Sequence, residues 1–265
     1  MKRLMWLIVP IWCLSACSEN AVTGNTSLSL VSEAQLQQMA IPQYENFLKE
    51  NKVLNNSDAS MVKRVGLRIS NAITQYYTSI GKGNVLNGYK WEYSLVESND
   101  ANAWCMPGGK IVVYTGILPL TQTEDALAVV MGHEIAHAVA QHGKARMSEG
   151  MLTQLGGEAL SVLLANKAAE TQNMFLSAYG IGTQLGSALP HSRKQELEAD
   201  RFGLLFSALA GYDPRVAVGF WERMSAASNG QKPPEFLSTH PADGTRIAKI
   251  KDYLPEAMKS YRPRK

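Results

Sequence analysis

Cysteine is scarce in this 265-residue chain, which contains three: Cys13, Cys17 and Cys105. Their spacing matches no zinc finger. If Cys13 leaves with an N-terminal signal and Cys17 is modified, Cys105 has no partner for an intramolecular disulfide. A disulfide framework is therefore excluded, and Cys105, in a strand-like stretch, is interpreted as a packed small hydrophobe rather than a nucleophile.

An excess of charge is also lacking. The formal net charge is +3, and removing residues 1–16, which contain Lys2 and Arg3 and no acidic residue, leaves +1. This near-neutral balance gives no argument for a nucleic-acid partner. The basic C-terminal residues are interpreted as a solvated tail, with weak contact to an anionic membrane surface as the alternative.

No apolar run is long enough to span a bilayer. The run at residues 4–16 is too short and is interrupted by Pro10, so residues 1–16 are predicted to be a secretory signal. Residues 14–17, Leu-Ser-Ala-Cys, resemble a bacterial lipobox in which Cys17 is lipidated. Ser18 after this cysteine resembles an outer-membrane sorting signal. A plain signal peptide is the alternative.

The rest of the chain divides by composition into two parts. Residues 17–31 are small and polar without a clear period, which predicts a lipidated N-terminus and a flexible tether. Residues 32–265 are long enough for one well-packed domain. Helices are predicted at residues 32–51 and 58–77 and a strand at residues 91–95. Internal repeats, a Walker loop, a Gly-x-Ser-x-Gly elbow and a heptad array are all missing.

A His-Glu-x-x-His motif begins at His133. On a helix, His133 and His137 lie one turn apart on the same face, so both imidazoles can reach one metal ion. Glu134 is well placed to hydrogen-bond the metal's water as general base. The flanks predict a mostly buried helix with a capping box formed by Thr121 and Glu124. The alternative is two histidines satisfied in a core.

A second motif places Glu196 and Asp200 four residues apart on a predicted helix, so their carboxylates share a face. Glu196 is predicted as the third metal ligand, because two histidines and one glutamate leave the open position typical of a catalytic zinc site. Asp200 is placed to accept the free ring N–H of a ligand histidine. The alternative is an exposed acidic face paired with Arg193, Lys194 or Arg201.

Two nearby residues are predicted to lie outside this site. Glu198 is about 200° from Glu196 around the helix, so it is expected to point to solvent or to Arg201. His142 lies five residues beyond His137, about 140° around a continuous helix, and is expected to face away from the metal.

These motifs, followed by Ser-Thr-His240-Pro and Arg246, resemble the gluzincin metallopeptidase family that includes HtpX, BepA, LoiP and the mitochondrial OMA-type proteases. The resemblance covers residues 32–255 and is close to small bacterial lipoprotein members. It implies an α+β fold: a mostly helical zincin-like metallopeptidase domain with a small β-sheet whose edge strand borders the active-site cleft.

The resemblance also implies the roles of the site residues. It implies one Zn²⁺ per chain, held by His133, His137 and Glu196, with Glu134 as catalytic base and Asp200 beside the ligands. In relatives, the histidine that corresponds to His240 lies near the metal. There it assists the developing oxyanion or occupies the open zinc position as a plug.

Either role of His240 uses chemistry that imidazole has, and Arg246 is expected to add positive charge nearby. The alternative is a loop histidine that caps the final helix.

A β-hairpin is predicted before the metal-binding helix, with strands at residues 102–106 and 110–115 around the turn 107–109. It resembles the family's edge-strand region, where an extended peptide substrate can pair with the backbone. Asn102 and Ala103 are therefore predicted to lie beside the cleft and to bind substrate. The alternative is that the hairpin only supports the helix.

The sequence thus predicts a zinc metalloendopeptidase that hydrolyses misfolded or misassembled envelope proteins. It is predicted to be anchored through Cys17 in the outer membrane and to face the periplasm, with exposure at the cell surface as the alternative. The leading alternative is a chaperone or assembly factor for envelope proteins whose zinc cleft is normally closed. A purely structural zinc site is a weaker alternative, because the predicted ligand set leaves one position open.

Overall fold

In the part of the chain that the structure describes, helices dominate the fold and two small sheets accompany them. The computed structural model describes residues 17–154, 156, 158–181, 192–227, 234–240 and 244–264, and the predicted signal segment lies outside the described residues. The helices are α1 (Glu33–Glu50), α2 (Ser57–Ser79), α3 (Leu118–Thr121), α4 (Glu124–Val139), α5 (His142–Gln154), α6 (Leu160–Asn166), α7 (Ala168–Ala178), α8 (Arg193–Leu209), α9 (Val216–Ala227), α10 (Glu235–Thr239) and α11 (Gly244–Ser260). The strands are β1 (Cys17–Glu19), β2 (Thr26–Leu28), β3 (Glu92–Val96), β4 (Ala103–Met106) and β5 (Lys110–Tyr114). The predicted mostly helical α+β class is confirmed.

The three-stranded sheet has the order β3-β5-β4, so β4 lies at an edge. β3 pairs with β5 in parallel, whereas β4 and β5 form the predicted antiparallel hairpin, with Met106 opposite Lys110. Gly108 and Gly109 in the connecting turn have φ of 77° and 82°, which a residue with a Cβ rarely adopts. The turn therefore needs this glycine pair.

Helices α1 and α2 confirm the first two predicted helices. Ser32 caps α1 through a capping box with Gln35. The apolar stripe of α2 is buried in the main core, where it packs against α4 and β3. This core supports one side of the metal-binding helix.

Helix α4 carries the His-Glu-x-x-His motif through the centre of the domain. Its residues 126–139 are all buried, which confirms the predicted buried helix. Its predicted start was wrong by two residues. Thr123, not Thr121, is the N-cap and accepts a hydrogen bond from the Ala126 amide at 3.2 Å. Gln122, with φ of 64°, ends the short helix α3 and so moves the cap.

Helices α4 and α8 cross at two glycines, which bring the two motifs together. A Cβ on Gly203 would lie 2.8 Å from the His133 amide nitrogen, and one on Gly132 would lie 2.7 Å from the Gly203 carbonyl oxygen. The Ser207 hydroxyl donates to the Ala128 carbonyl at 2.9 Å across the same interface. The side chains on the facing sides of the helices therefore meet at close range.

The N-terminal segment, expected to be a flexible tether, is largely folded onto the domain. β1 and β2 form an antiparallel hairpin, and Val31 is buried. The Asn20 side chain accepts from two backbone amides of the hairpin loop and donates to the Val139 carbonyl at 3.4 Å. The Leu30 amide donates to Ser148 at 3.0 Å. Polar groups of this segment thus form hydrogen bonds within the hairpin and with the domain rather than with water alone.

Within the described ranges, no helix combines the length and the apolar character needed to cross a membrane.

Candidate metal centre

Four buried side chains meet at the centre of the domain. His133 and His137 lie on α4, Glu196 lies on α8, and His240 directly follows α10. The side-chain atoms that each could offer to a metal lie within 4.8 Å of one another. The structure therefore brings together the three predicted ligands and the histidine whose role was left open.

The separations of these atoms fit one tetrahedral metal ion. His133 Nε2 lies 3.0 Å from His137 Nε2 and 3.2 Å from His240 Nδ1. Glu196 Oε1 lies 3.3 Å from His137 Nε2 and 3.0 Å from His240 Nδ1. Donor atoms about 2.0–2.1 Å from a zinc ion are about 3.3–3.4 Å apart in a tetrahedron. Three imidazole nitrogens and one carboxylate oxygen are also ligands that zinc accepts.

Glu134 lies beside this cluster without belonging to it. It is 3% exposed, and its Oε1 is 3.4 Å from His240 Nε2, the ring nitrogen opposite the one in the cluster. Burial raises the pKa of Glu134, while His240 and His133 oppose that shift. A buried carboxylate with a raised pKa holds a proton more readily than an exposed one, which suits a group that takes up and releases a proton.

Asp200 and Arg246 form hydrogen bonds and ion pairs with the metal-ligand residues His133 and Glu196. Asp200 Oδ1 lies 3.0 Å from His133 Nδ1, the contact predicted from the sequence. Arg246 donates to both oxygens of Asp200, at 2.7 and 2.9 Å, and its Nη1 is 2.7 Å from Glu196 Oε2. It also donates to the His240 carbonyl at 3.2 Å. The Arg246 guanidinium thus contacts Asp200, Glu196 and the backbone of His240.

Arg246 is 3% exposed and lies over the Trp221 ring, 3.7 Å from its centroid. Burial alone would raise the pKa of both Glu196 and Asp200. The positive charge of Arg246 nevertheless helps to hold the pKa of each below its usual range, with His240 also acting on Glu196. Both carboxylates are therefore ionised, the state in which Glu196 can bind a metal.

The described residues enclose the cluster. The four residues of the cluster, together with Glu134, Asp200 and Arg246, are each 5% exposed or less. The Phe236 amide donates to the Ala101 carbonyl at 3.0 Å, and the Phe236 ring stacks on His240 with centroids 4.4 Å apart. Asn102 and Ala103 lie at the start of the edge strand next to this contact and are 3% and 1% exposed. The start of the edge strand is thus covered by the segment that carries His240.

Sequence reasoning misplaced two residues near the cluster, one that contacts a ligand and one that contacts this residue in turn. His142 was expected to face away, but its Nδ1 is 2.8 Å from His137 Nδ1. Glu198 was expected to point to solvent or Arg201, but it lies 3.2 Å from His142 Nε2. For His142, the helical extrapolation was wrong because α4 ends at Val139, and for Glu198 it did not foresee that His142 packs against α8. The polar residues that follow the apolar helix are the sequence signal that could have indicated this end.

Comparison with known proteins places these observations in a family. Residues 69–254 match the family model described as peptidase family M48. Among similar proteins, the mitochondrial metalloendopeptidase OMA1 of Schizosaccharomyces pombe is 39% identical over 176 residues, 65% of this chain and 49% of that protein.

Human mitochondrial metalloendopeptidase OMA1 is 30% identical over 263 residues, 96% of this chain and 49% of that protein. The beta-barrel assembly-enhancing protease of Escherichia coli is 31% identical over 185 residues, 66% of this chain and 38% of that protein. The chain thus spans about half or less of these relatives. Since the family model matches most of the chain, including the whole of α4 and α8, the chain belongs to peptidase family M48.

Proposed function

We propose that this chain is a zinc metalloendopeptidase of the cell envelope that hydrolyses misfolded or misassembled envelope proteins. The observation that carries the proposal is the convergence of His133, His137 and Glu196 with Glu134 beside them, at separations that fit zinc. Membership of peptidase family M48 supports the same reaction. The site is therefore interpreted as a catalytic centre rather than a structural one.

The residues of the site divide the chemistry between them. A bound zinc ion supplies a Lewis acid that polarises the scissile carbonyl and lowers the pKa of water. Glu134 removes a proton from the attacking water and returns it to the leaving amine. Asp200 and Arg246 keep the ligands oriented, because they contact His133 and Glu196 on the side away from the cluster.

The backbone of β4 is the proposed site of substrate binding. β4 is an edge strand, and an extended peptide can add to such an edge through main-chain hydrogen bonds. Asn102 and Ala103 lie where that peptide would approach the cluster. Because Phe236 now contacts the Ala101 carbonyl, the segment with His240 must move before a peptide can bind there.

Three features support the envelope location and the quality-control role. Residues 1–16 have the features of a secretory signal, and Cys17, the proposed lipidation site, is exposed. We propose an outer-membrane attachment facing the periplasm, with residues 32–265 as the peptidase domain. The third feature is that the Escherichia coli relative is named for assembly of β-barrels. The OMA1 relatives are named as mitochondrial and lend no support to this location.

A second candidate function is a chaperone or assembly factor whose zinc cleft is normally closed. His240 Nδ1 favours it, because this atom occupies the fourth corner of the ligand cluster that a substrate or water needs. In this form the chain can bind partners without cleaving them.

Replacing His240 by alanine should raise the cleavage rate of an unfolded test protein several-fold, because the fourth ligand position then stays open. The measurement compares initial rates of zinc-loaded wild type and His240→Ala, with Ser238→Ala as the control, since that residue lies in the same segment and is exposed. A fall in rate would instead assign His240 to assistance of the transition state.

A strain that carries Glu134→Gln should accumulate the natural substrates. The test is a quantitative comparison of envelope proteins between this strain, the deletion strain and the wild type. Proteins that accumulate in both mutants support proteolytic quality control. Full rescue of the deletion strain by Glu134→Gln would contradict that role and favour the chaperone.

A further inference from the structure

We infer that His142 is a positioning residue for the zinc ligand His137, and that Glu198 and Asn25 hold His142 in place for that task. These residues lie on three different parts of the fold: the start of α5, α8 and the loop of the N-terminal hairpin. Their contacts form a chain of polar groups that ends at the metal ligand.

The backbone is bent where this contact is made. Helix α4 ends at Val139, and Gln141 has φ of 57°, a left-handed conformation that is uncommon for a residue other than glycine. A new helix then starts at His142. The bend turns the His142 ring back toward His137, where its Nδ1 comes within 2.8 Å of His137 Nδ1.

The geometry assigns a proton to each ring. His137 Nε2 lies in the ligand cluster, so with a metal bound its lone pair would face the ion and its proton would be on Nδ1. His137 Nδ1 therefore donates to His142 Nδ1. His142 then carries its own proton on Nε2, which lies 3.2 Å from Glu198 Oε2 and donates to it. Each donor in the series meets an acceptor.

The other histidine ligand is held in a simpler way. His133 Nδ1 contacts the carboxylate of Asp200 directly, at 3.0 Å. His137 reaches the carboxylate of Glu198 through the ring of His142. Both ligand rings thus have a fixed orientation and tautomer, and a carboxylate at the end of each series increases the basicity of the ligand nitrogen. Without His142, the His137 ring would lose that support.

The series continues to the N-terminal hairpin. The Asn25 side-chain amide donates to Glu198 Oε1, and its oxygen accepts from Lys194 at 2.9 Å. A cavity of about 310 Å³ lies between the hairpin and the α4–α5 junction and is lined by Asn25, His142 and Glu198. The hairpin that begins at Cys17 therefore contacts the metal ligand through two side chains.

The inference rests on the zinc site of the proposed function and is tested by zinc binding to the purified full chain. Competition with a chromophoric chelator gives the zinc dissociation constant. His142→Ala should raise it about 10–100-fold. His142→Gln should recover most of the affinity, because a glutamine side chain has an acceptor for His137 and a donor for Glu198.

Two milder variants and one control complete the series. Glu198→Gln and Asn25→Ala should each weaken zinc binding less than His142→Ala, since they act one and two contacts further away. Arg201→Met is the matched control, because Arg201 lies on α8 three residues from Glu198 and pairs with Glu256 at the surface. It should bind zinc like the wild type.

The visible spectrum of the Co²⁺-loaded chain gives a readout that a merely structural role would not move. Its bands should shift in His142→Ala, since Co²⁺ absorption reports ligand geometry, and should stay unchanged in Arg201→Met. A zinc affinity for His142→Ala within twofold of the wild type would overturn the inference. If His142→Ala does not fold, wild-type zinc affinity in both Glu198→Gln and Asn25→Ala overturns it.

Discussion

Glu134→Gln is expected to lower the rate of peptide-bond cleavage by about 10²–10⁴-fold, the range for removal of a general base or acid. Glutamine has nearly the same size as glutamate, but its amide cannot take up the proton of the attacking water. Zinc should remain bound, because His133, His137 and Glu196 are unchanged. The measurement is the cleavage rate of an unfolded test protein together with the zinc content of the same preparation.

The matched control is Glu124→Gln, the same substitution at the first residue of the same helix. Glu124 pairs with Arg64 at the surface and does not contact the metal cluster. The Glu124→Gln variant should cleave the test protein at the wild-type rate. Wild-type cleavage by Glu134→Gln would contradict the assigned base, whereas loss of zinc in that variant would show that Glu134 supports the ligands instead.

The helical period was enough to predict which side chains share a face. His133 with His137, and Glu196 with Asp200, each lie one turn apart on a regular helix, and their chemistry indicated that the two faces meet on one metal. A contact from Asp200 to a ligand histidine was predicted in the same way, and in the structure that histidine is His133. These predictions needed no knowledge of how the helices cross.

Features that depend on where an element ends, or on distant packing, could not be predicted in the same way. His142 was misplaced because the period was continued past Val139, where the chain bends at Gln141. The parallel pairing of β3 with β5 was not predictable from the alternation of either strand. The packing of the N-terminal hairpin onto the domain depends on Asn20. Its side chain donates to the carbonyl of Val139 in α4, 119 residues away in sequence.

The role of Arg246 shows how burial changes a prediction made from charge alone. The sequence indicated a positive charge near the site. In the structure the Arg246 guanidinium forms ion pairs with Asp200 and Glu196 and lies over the ring of Trp221. Arg246 is thus placed to stabilise the carboxylates of Glu196 and Asp200 rather than to meet a substrate oxygen directly.

Arg246→Met is therefore expected to lower the free energy of unfolding of the metal-free chain by about 3–5 kcal/mol, the cost of removing one partner of a buried ion pair. Asp200 would lose two charge-assisted hydrogen bonds, and Glu196 would lose its guanidinium partner, while both carboxylates remain buried. Methionine keeps much of the side-chain volume against Trp221, so the change tests charge more than packing. Urea denaturation of chelator-treated protein measures the effect.

Arg201→Met provides the comparison within the same fold. Arg201 also makes two hydrogen bonds to one carboxylate, that of Glu256, but the two side chains are 50% and 49% exposed. Its loss should cost about 0–1 kcal/mol, because water screens and replaces an exposed pair. Equal losses for the two variants would show that Arg246 does not stabilise the carboxylates of Glu196 and Asp200. A smaller loss for Arg246→Met in zinc-loaded protein is expected, because the metal then supplies Glu196 with positive charge.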